Sequence, residues 1–168
     1  MSRLFFALWP DETVSGKITS ICNRLPPGCG RKVQSGNVHI TLVFLGDIDE
    51  TSLGCLLAGV ETVPMEPFTL VLDRPGWWRK SQVLWIAPAT VPEVLRALYE
   101  QLASLASGCG IATERRPYSP HMTLARKVFR KPRLPEFEPV IWDVRQFSLM
   151  RAETLPSGAR YEPVWRSS

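Results

Sequence analysis

Both histidines of this chain open the same four-residue phrase, His-Ile-Thr-Leu at 39–42 and His-Met-Thr-Leu at 121–124, 82 residues apart. Each phrase lies in a β-rich apolar segment, "VHITLVFLG" (38–46) and "PYSPHMTLARKV", and each segment follows an amphipathic helical stretch. On a strand, residues two apart share a face. His39 and Thr41 are therefore expected on one side, as are His121 and Thr123. Ile40, Leu42, Met122 and Leu124 then point the opposite way, toward a core. A helix followed by a strand with the same phrase, once in each half, is the pattern of a duplicated lobe. The duplication limits the fold to one that brings two similar strands together.

The remaining segments fit that frame. "RLFFALW" (3–9) reads as a strand. Val14, Ile18, Ile21, Cys22 and Leu25 recur at helical spacing behind Pro10, and Pro-Pro-Gly-Cys-Gly at 26–30 stops that helix. Leu53, Leu56, Leu57 and Val60 mark a second helix over 49–63. Strands are expected at 68–73 and 82–88, paired as a hairpin around a turn containing Pro75 and Gly76. Val91, Leu95, Leu98, Leu102 and Leu105 define a third helix over 91–107, ended by Gly-Cys-Gly at 108–110. The Pro-rich stretch 131–139 reads as a loop. Residues 140–155 read as one long strand, and "RYEPVW" (160–165) returns as the last. This order has hairpins and no regular βαβ spacing. The expected class is α+β: a bilobal chain with two pseudo-symmetric lobes, largely antiparallel sheets, helices outside and a cleft between the lobes. All 168 residues are assigned to one domain.

Composition narrows the setting. Hydrophobic residues make up 45% of the chain, and no apolar run approaches the roughly 18 residues of a membrane span. The N-terminal segment lacks the apolar core of a signal peptide, so a cytoplasmic location is expected. The four cysteines are scattered and form no CxxC pair, so free thiols are expected, with Cys22 and Cys55 in the core. No Cys or His spacing fits zinc, and neither a metal nor a cofactor is expected. Net charge is +4, and 15 of the 20 basic residues are Arg. Arg suits phosphate oxygens, although the excess alone is equally compatible with simple solubility.

If the two phrases lie side by side, two imidazoles and two hydroxyls converge. That set serves phosphodiester chemistry. A neutral His can take a proton from water, a protonated His can give one to a departing ribose oxygen, and Thr hydroxyls can donate to phosphate oxygens. An ordinary histidine pKa near 6.5 permits either role without a metal, and the chemistry alone leaves open which His does which.

These phrases, with "RLFFALWP", "RPYSPHMTLARK" and "FSLMRAETLPSGARYEPVW" around them, resemble the 2H phosphoesterase superfamily over almost the whole chain. The likeness is closer to its RNA 2′,3′-cyclic phosphodiesterase branch, also called 2′-5′ RNA ligases. The resemblance implies hydrolysis of RNA 2′,3′-cyclic phosphate ends, such as those of tRNA halves, to 2′-phosphates. It also implies reverse 2′-5′ ligation as a side activity. In it His39 is the general acid, His121 the general base, and Thr41 and Thr123 hold the phosphate. A monomer is expected. Two other readings are an enzyme for a small cyclic nucleotide such as ADP-ribose 1″,2″-cyclic phosphate, and a non-catalytic RNA-binding module of the same fold.

Four more residues are candidates for substrate binding. Arg126 trails the second phrase, as in the family, but its odd offset from His121 turns it away on a regular strand. Phe44 has the same offset from His39, which favours the core over base stacking in the cleft. Phe6 is divided between core and cleft wall in the same way. Tyr161 is placed for stacking on a base or for packing. Trp77 and Trp78, beside Arg74, Arg79 and Lys80 at what is read as a hairpin tip, are divided between packing on the neighbouring lobe and offering stacking and charge to RNA.

Overall fold

The structure, a computed structural model, describes residues 2–168. β1 (Ser2–Leu8) leads into α1 (Glu12–Asn23). Asp11 caps α1, its side chain accepting from the Val14 amide at 2.9 Å. Val14, Ile18, Ile21 and Cys22 form its buried stripe, as their spacing requires. The short β2 (Arg31–Lys32) and a 3-10 turn (Ser35–Asn37) precede β3 (Ile40–Ile48). α2 (Glu50–Val60) is capped by Asp49. Then come β4 (Phe68–Leu72), β5 (Arg74–Trp78), β6 (Val83–Ala87) and α3 (Glu93–Gly108), which buries Leu95, Leu98, Leu102 and Ala106. β7 (Met122–Arg126), β8 (Val140–Val144), β9 (Ser148–Leu155) and β10 (Gly158–Arg166) complete the chain.

The fold is α+β and its strand pairs are antiparallel. One sheet runs β10-β9-β1-β3-β7-β6-β5, with β2 also paired to β7, and β4 and β8 form a second, small sheet. The two halves of the large sheet meet at a single residue pair, Ile40 with Met122. Those are the second residues of the two phrases. Leu4, Phe6, Leu8, Ile40, Leu42, Met122, Leu124, Leu84 and Ile86 join the helix stripes in the main core. Two small apolar clusters sit apart from it, Phe5, Ala7 and Met150 in one, Val83, Trp85 and Ala87 in the other.

Several sequence expectations are corrected. Residues 74–78 are not a turn but β5, the edge strand paired with β6, while β4 pairs with β8 instead. Pro75 is tolerated there because an edge strand leaves one row of amides unpaired, and Gly76 is required because the Trp85 ring fills the place of a side chain. Residues 140–155 break after Val144: β8 belongs to the small sheet and β9 to the large one. The chain crosses between layers over Arg145–Phe147, where the sequence offers neither Gly nor Pro as a marker. Cys55 and Cys109 are not free thiols. They form a disulfide between α2 and the end of α3, and Cys55 lies on the exposed side of its helix. α2 and α3 are close because Gly59 leaves room for Leu105. Cys22 and Cys29 are free and buried, and burial pushes the Cys22 thiol up to about 11.

Candidate active site

His39 and His121 stand immediately before β3 and β7, one residue outside each strand. Each ring is fixed in the same way. His39 Nδ1 lies 2.7 Å from the Asn37 carbonyl, and His121 Nδ1 lies 2.9 Å from the Ser119 carbonyl. A carbonyl only accepts, so Nδ1 carries the hydrogen in both rings and Nε2 is the atom left for chemistry. Carrying the Ile40–Met122 register one residue either way sets His39 across from Thr123 and Thr41 across from His121. All four residues line one cleft of about 620 Å³.

Two strand irregularities complete the cleft. In β3, Ala7 pairs with Thr41 and Phe6 with Val43, so Leu42 is an extra residue. In β7, Trp85 pairs with Thr123 and Leu84 with Ala125, so Leu124 is an extra residue. Both are the fourth residue of the phrase. A bulge shifts alternation by one. Leu42 with Val43, and Leu124 with Ala125, are consecutive buried residues. The odd-offset positions Phe44 and Arg126 thereby return to the side of the histidines. Both line the cleft, and Phe44 remains 48% exposed. The expectation of Phe44 in the core is thus overturned, and Arg126 needs no bent strand end to reach the site.

Tyr161 also lines the cleft and meets the His39 ring edge-on at 5.2 Å. Phe6 does not line it. It is fully buried on the opposite face of β1, against Phe147. Its neighbour Phe5 takes the cleft side, 5.2 Å from His39. Strand alternation separates the two adjacent tryptophans: the Trp77 indole donates to the Val128 carbonyl at 2.8 Å, while Trp78 meets His121 edge-on at 4.6 Å.

Sequence reasoning missed Trp9, whose indole stacks flat on His39, with centroids 4.6 Å apart and planes 4° from parallel. Phe5, Trp9 and Tyr161 wrap that imidazole. Burial is the main reason that the His39 pKa falls from 6.5 to about 4, with Arg126 and His121 acting in the same direction. His121 is lowered as well, again first by burial. Tyr118 shapes the entry to the second phrase. It stacks on Tyr99 at 4.2 Å and donates its hydroxyl to the Thr41 carbonyl, and its burial raises the phenol pKa, so that proton is retained. Arg31 and Lys32 add positive charge to the rim, where Arg116 is paired with Glu114 at 3.2 Å.

Two imidazoles, two hydroxyls and a guanidinium thus line one cleft. Residues 17–155 match the model of the 2'-5' RNA ligase superfamily. An RNA 2',3'-cyclic phosphodiesterase of Escherichia coli (strain K12) is 35% identical over 170 residues, 98% of this chain and 94% of that protein. A protein of the same name from Thermus thermophilus is 32% identical over 95% of this chain and 86% of its own length. Among solved structures, E. coli LigT complexed with 3'-AMP superposes with a TM-score of 0.89 at 30% identity, covering 99% of this chain and 97% of that one. LigT complexed with phosphate gives 0.85 at 28% identity over 99% and 96%. The chain belongs to the 2'-5' RNA ligase superfamily.

Proposed function

We propose that this protein hydrolyses RNA 2′,3′-cyclic phosphate ends to 2′-phosphomonoesters, with two histidines as proton donor and acceptor. The observation that carries this reading is the matched anchoring of His39 and His121. Both Nδ1 atoms are tied to the carbonyl two residues upstream, which leaves two Nε2 atoms for one cleft. The names of the relatives agree with it.

In this scheme Thr41, Thr123 and Arg126 hold the non-bridging phosphate oxygens. His121 Nε2 takes a proton from a water lying opposite the P–O3′ bond. The new P–O bond forms as the P–O3′ bond breaks, and His39 Nε2–H passes its proton to O3′. The product keeps its phosphate on O2′. The enzyme resets by losing a proton from His121 and regaining one at His39. If an RNA 5′-hydroxyl reacts in the place of water, the same transfers give a 2′-5′ linkage. No step calls on a metal or cofactor. Phe44 and Tyr161 offer aromatic surfaces for the terminal base. Each half of the large sheet is taken as one lobe of a single domain acting as a monomer in the cytoplasm.

The test is turnover in EDTA of an oligoribonucleotide ending in a 2′,3′-cyclic phosphate, with 2′- and 3′-phosphate products separated. A 2′-phosphate product made by the wild type and lost in His39→Ala and in His121→Ala supports the reading. A 3′-phosphate product, or turnover that survives both substitutions, sinks it.

A further inference from the structure

Nine of the chain's 20 basic residues fall in three short segments: Arg31 and Lys32 of β2, Arg79 and Lys80 in the β5–β6 turn, and Arg126, Lys127, Arg130, Lys131 and Arg133 in and after β7. None of the three segments, 30–34, 78–83 or 126–133, contains an acid. The other 11 basic residues stand against 16 acidic ones, so the rest of the chain carries a net charge of −5. The positive charge of this protein is thus concentrated rather than spread for solubility.

The three segments meet in space around Val128. Its amide donates to the Gln82 carbonyl at 2.9 Å, at the end of the β5–β6 turn. Its carbonyl accepts the Trp77 indole. A side chain at Gly30, next to β2, would strike Val128 and the Arg126 carbonyl. β2 itself pairs with the end of β7, Arg31 opposite Arg126. Among the described residues, the non-glycine positions with left-handed backbone are Gln82 (φ 59°) and Lys127 (φ 56°), one on each side of this clamp. Strain of this kind persists where the surroundings impose it and often marks function. Lys127 lies just past the end of β7, and beyond the buried Val128 the residues Phe129, Arg130, Lys131 and Arg133 are exposed. Phe129 is 71% exposed, the highest value among the large apolar side chains of the described residues. The surface joins the cleft directly, since Arg31, Lys32, Trp78, Ser81 and Arg126 line both.

We infer that this ridge is a track for single-stranded RNA, on which the nucleotides preceding the cyclic phosphate end lie from Arg126 across Lys127, Arg130, Lys131 and Arg133, with a base stacked on Phe129. Cations interleaved with an exposed aromatic ring match a strand whose phosphates and bases alternate. The inference rests on the proposed function and extends it. The preferred substrate is a polynucleotide, and a free cyclic nucleotide reaches only the cleft.

The test compares two substrates: a cyclic mononucleotide, and an RNA of about ten nucleotides with the same cyclic end, a length within the usual range of single-strand sites. The variants are Lys127→Ala/Arg130→Ala/Lys131→Ala/Arg133→Ala together, and Phe129→Ala alone. The expected result is an oligonucleotide KM raised about tenfold or more by the quadruple variant, with kcat and the mononucleotide kinetics unchanged. Each lost phosphate contact should also flatten the dependence of log KM on log salt by about 0.7. Phe129→Ala should raise the oligonucleotide KM by about fivefold to a hundredfold. An oligonucleotide KM unmoved by the quadruple variant overturns the track. So does an equal loss on both substrates, which would mean that the segment only supports the cleft. Wild-type turnover of neither substrate would instead refute the proposed function.

Discussion

The burial of His39 makes the pH dependence of turnover a specific prediction. Its pKa in the open cleft is about 4, chiefly because burial withholds water from the charged ring. A lowered pKa means that the proton is lost at lower pH, so in the free enzyme His39 is a competent acid only under acidic conditions. His121 must be neutral to act as base, and its own lowered pKa extends that form downward in pH. The kcat/KM profile, which reports the free enzyme, should therefore be a bell with its maximum below the ordinary histidine value of 6.5. Binding changes the balance. One phosphate negative charge at about 4 Å, in an effective dielectric of about 20, attracts the imidazolium by about 4 kcal/mol, or about three pKa units. That raises the His39 pKa in the complex, and it raises His121 in the same direction. The kcat profile should then lie about two to three units to the alkaline side of the kcat/KM profile. The assay is initial rate against pH at saturating and at low concentrations of a cyclic mononucleotide. Coincident profiles, or a kcat/KM maximum above neutral pH, would refute the burial argument.

Three further outcomes follow from particular contacts. Trp9→Ala opens the His39 cage to water, so the His39 pKa should rise from about 4 toward 6.5, visible in an NMR titration of its ring protons, while kcat falls because the ring is no longer held flat. Gly30→Ala places a side chain against the Arg126 carbonyl at a left-handed backbone position, and should cost about 2–3 kcal/mol in urea unfolding while weakening binding of inorganic phosphate. Thiol labelling after denaturation without reductant should find Cys22 and Cys29 only, and loss of the Cys55–Cys109 bond, which spans 54 residues, should destabilise the fold by up to about 4 kcal/mol.

The helices were legible because burying one stripe imposes a period on the residues themselves: Val14, Ile18, Ile21 and Cys22 were readable, and so were Leu95, Leu98 and Leu102. The two phrases were legible because strand alternation is local. The bulges were not. That Leu42 and Leu124 are extra residues is decided by the partners, β1 and β6, and nothing in four residues records a partner's register. The face that Phe44 and Arg126 take therefore follows from the partner strands and not from their own offsets. Phe6, found in the core that its reading favours, is divided between core and cleft for another reason: Phe5 and Phe6 are the same residue type on opposite faces, and only the pairing of Ala7 with Thr41 tells which face is the cleft. The 140–155 break and the Cys55–Cys109 bond are tertiary events between segments far apart in the chain.

The central claim is that His39 gives a proton while His121 takes one, and a change of leaving group separates them. The substrate is a 2′,3′-cyclic phosphate with sulfur in place of the bridging 3′ oxygen, whose thiolate departs without a proton. The account predicts that His39→Ala, inactive on the oxygen substrate, regains turnover on the sulfur one, whereas His121→Ala is inactive on both. Rescue of His121→Ala with none of His39→Ala would reverse the assignment. Rescue of neither, with the wild type active on both substrates, would contradict proton donation by either histidine.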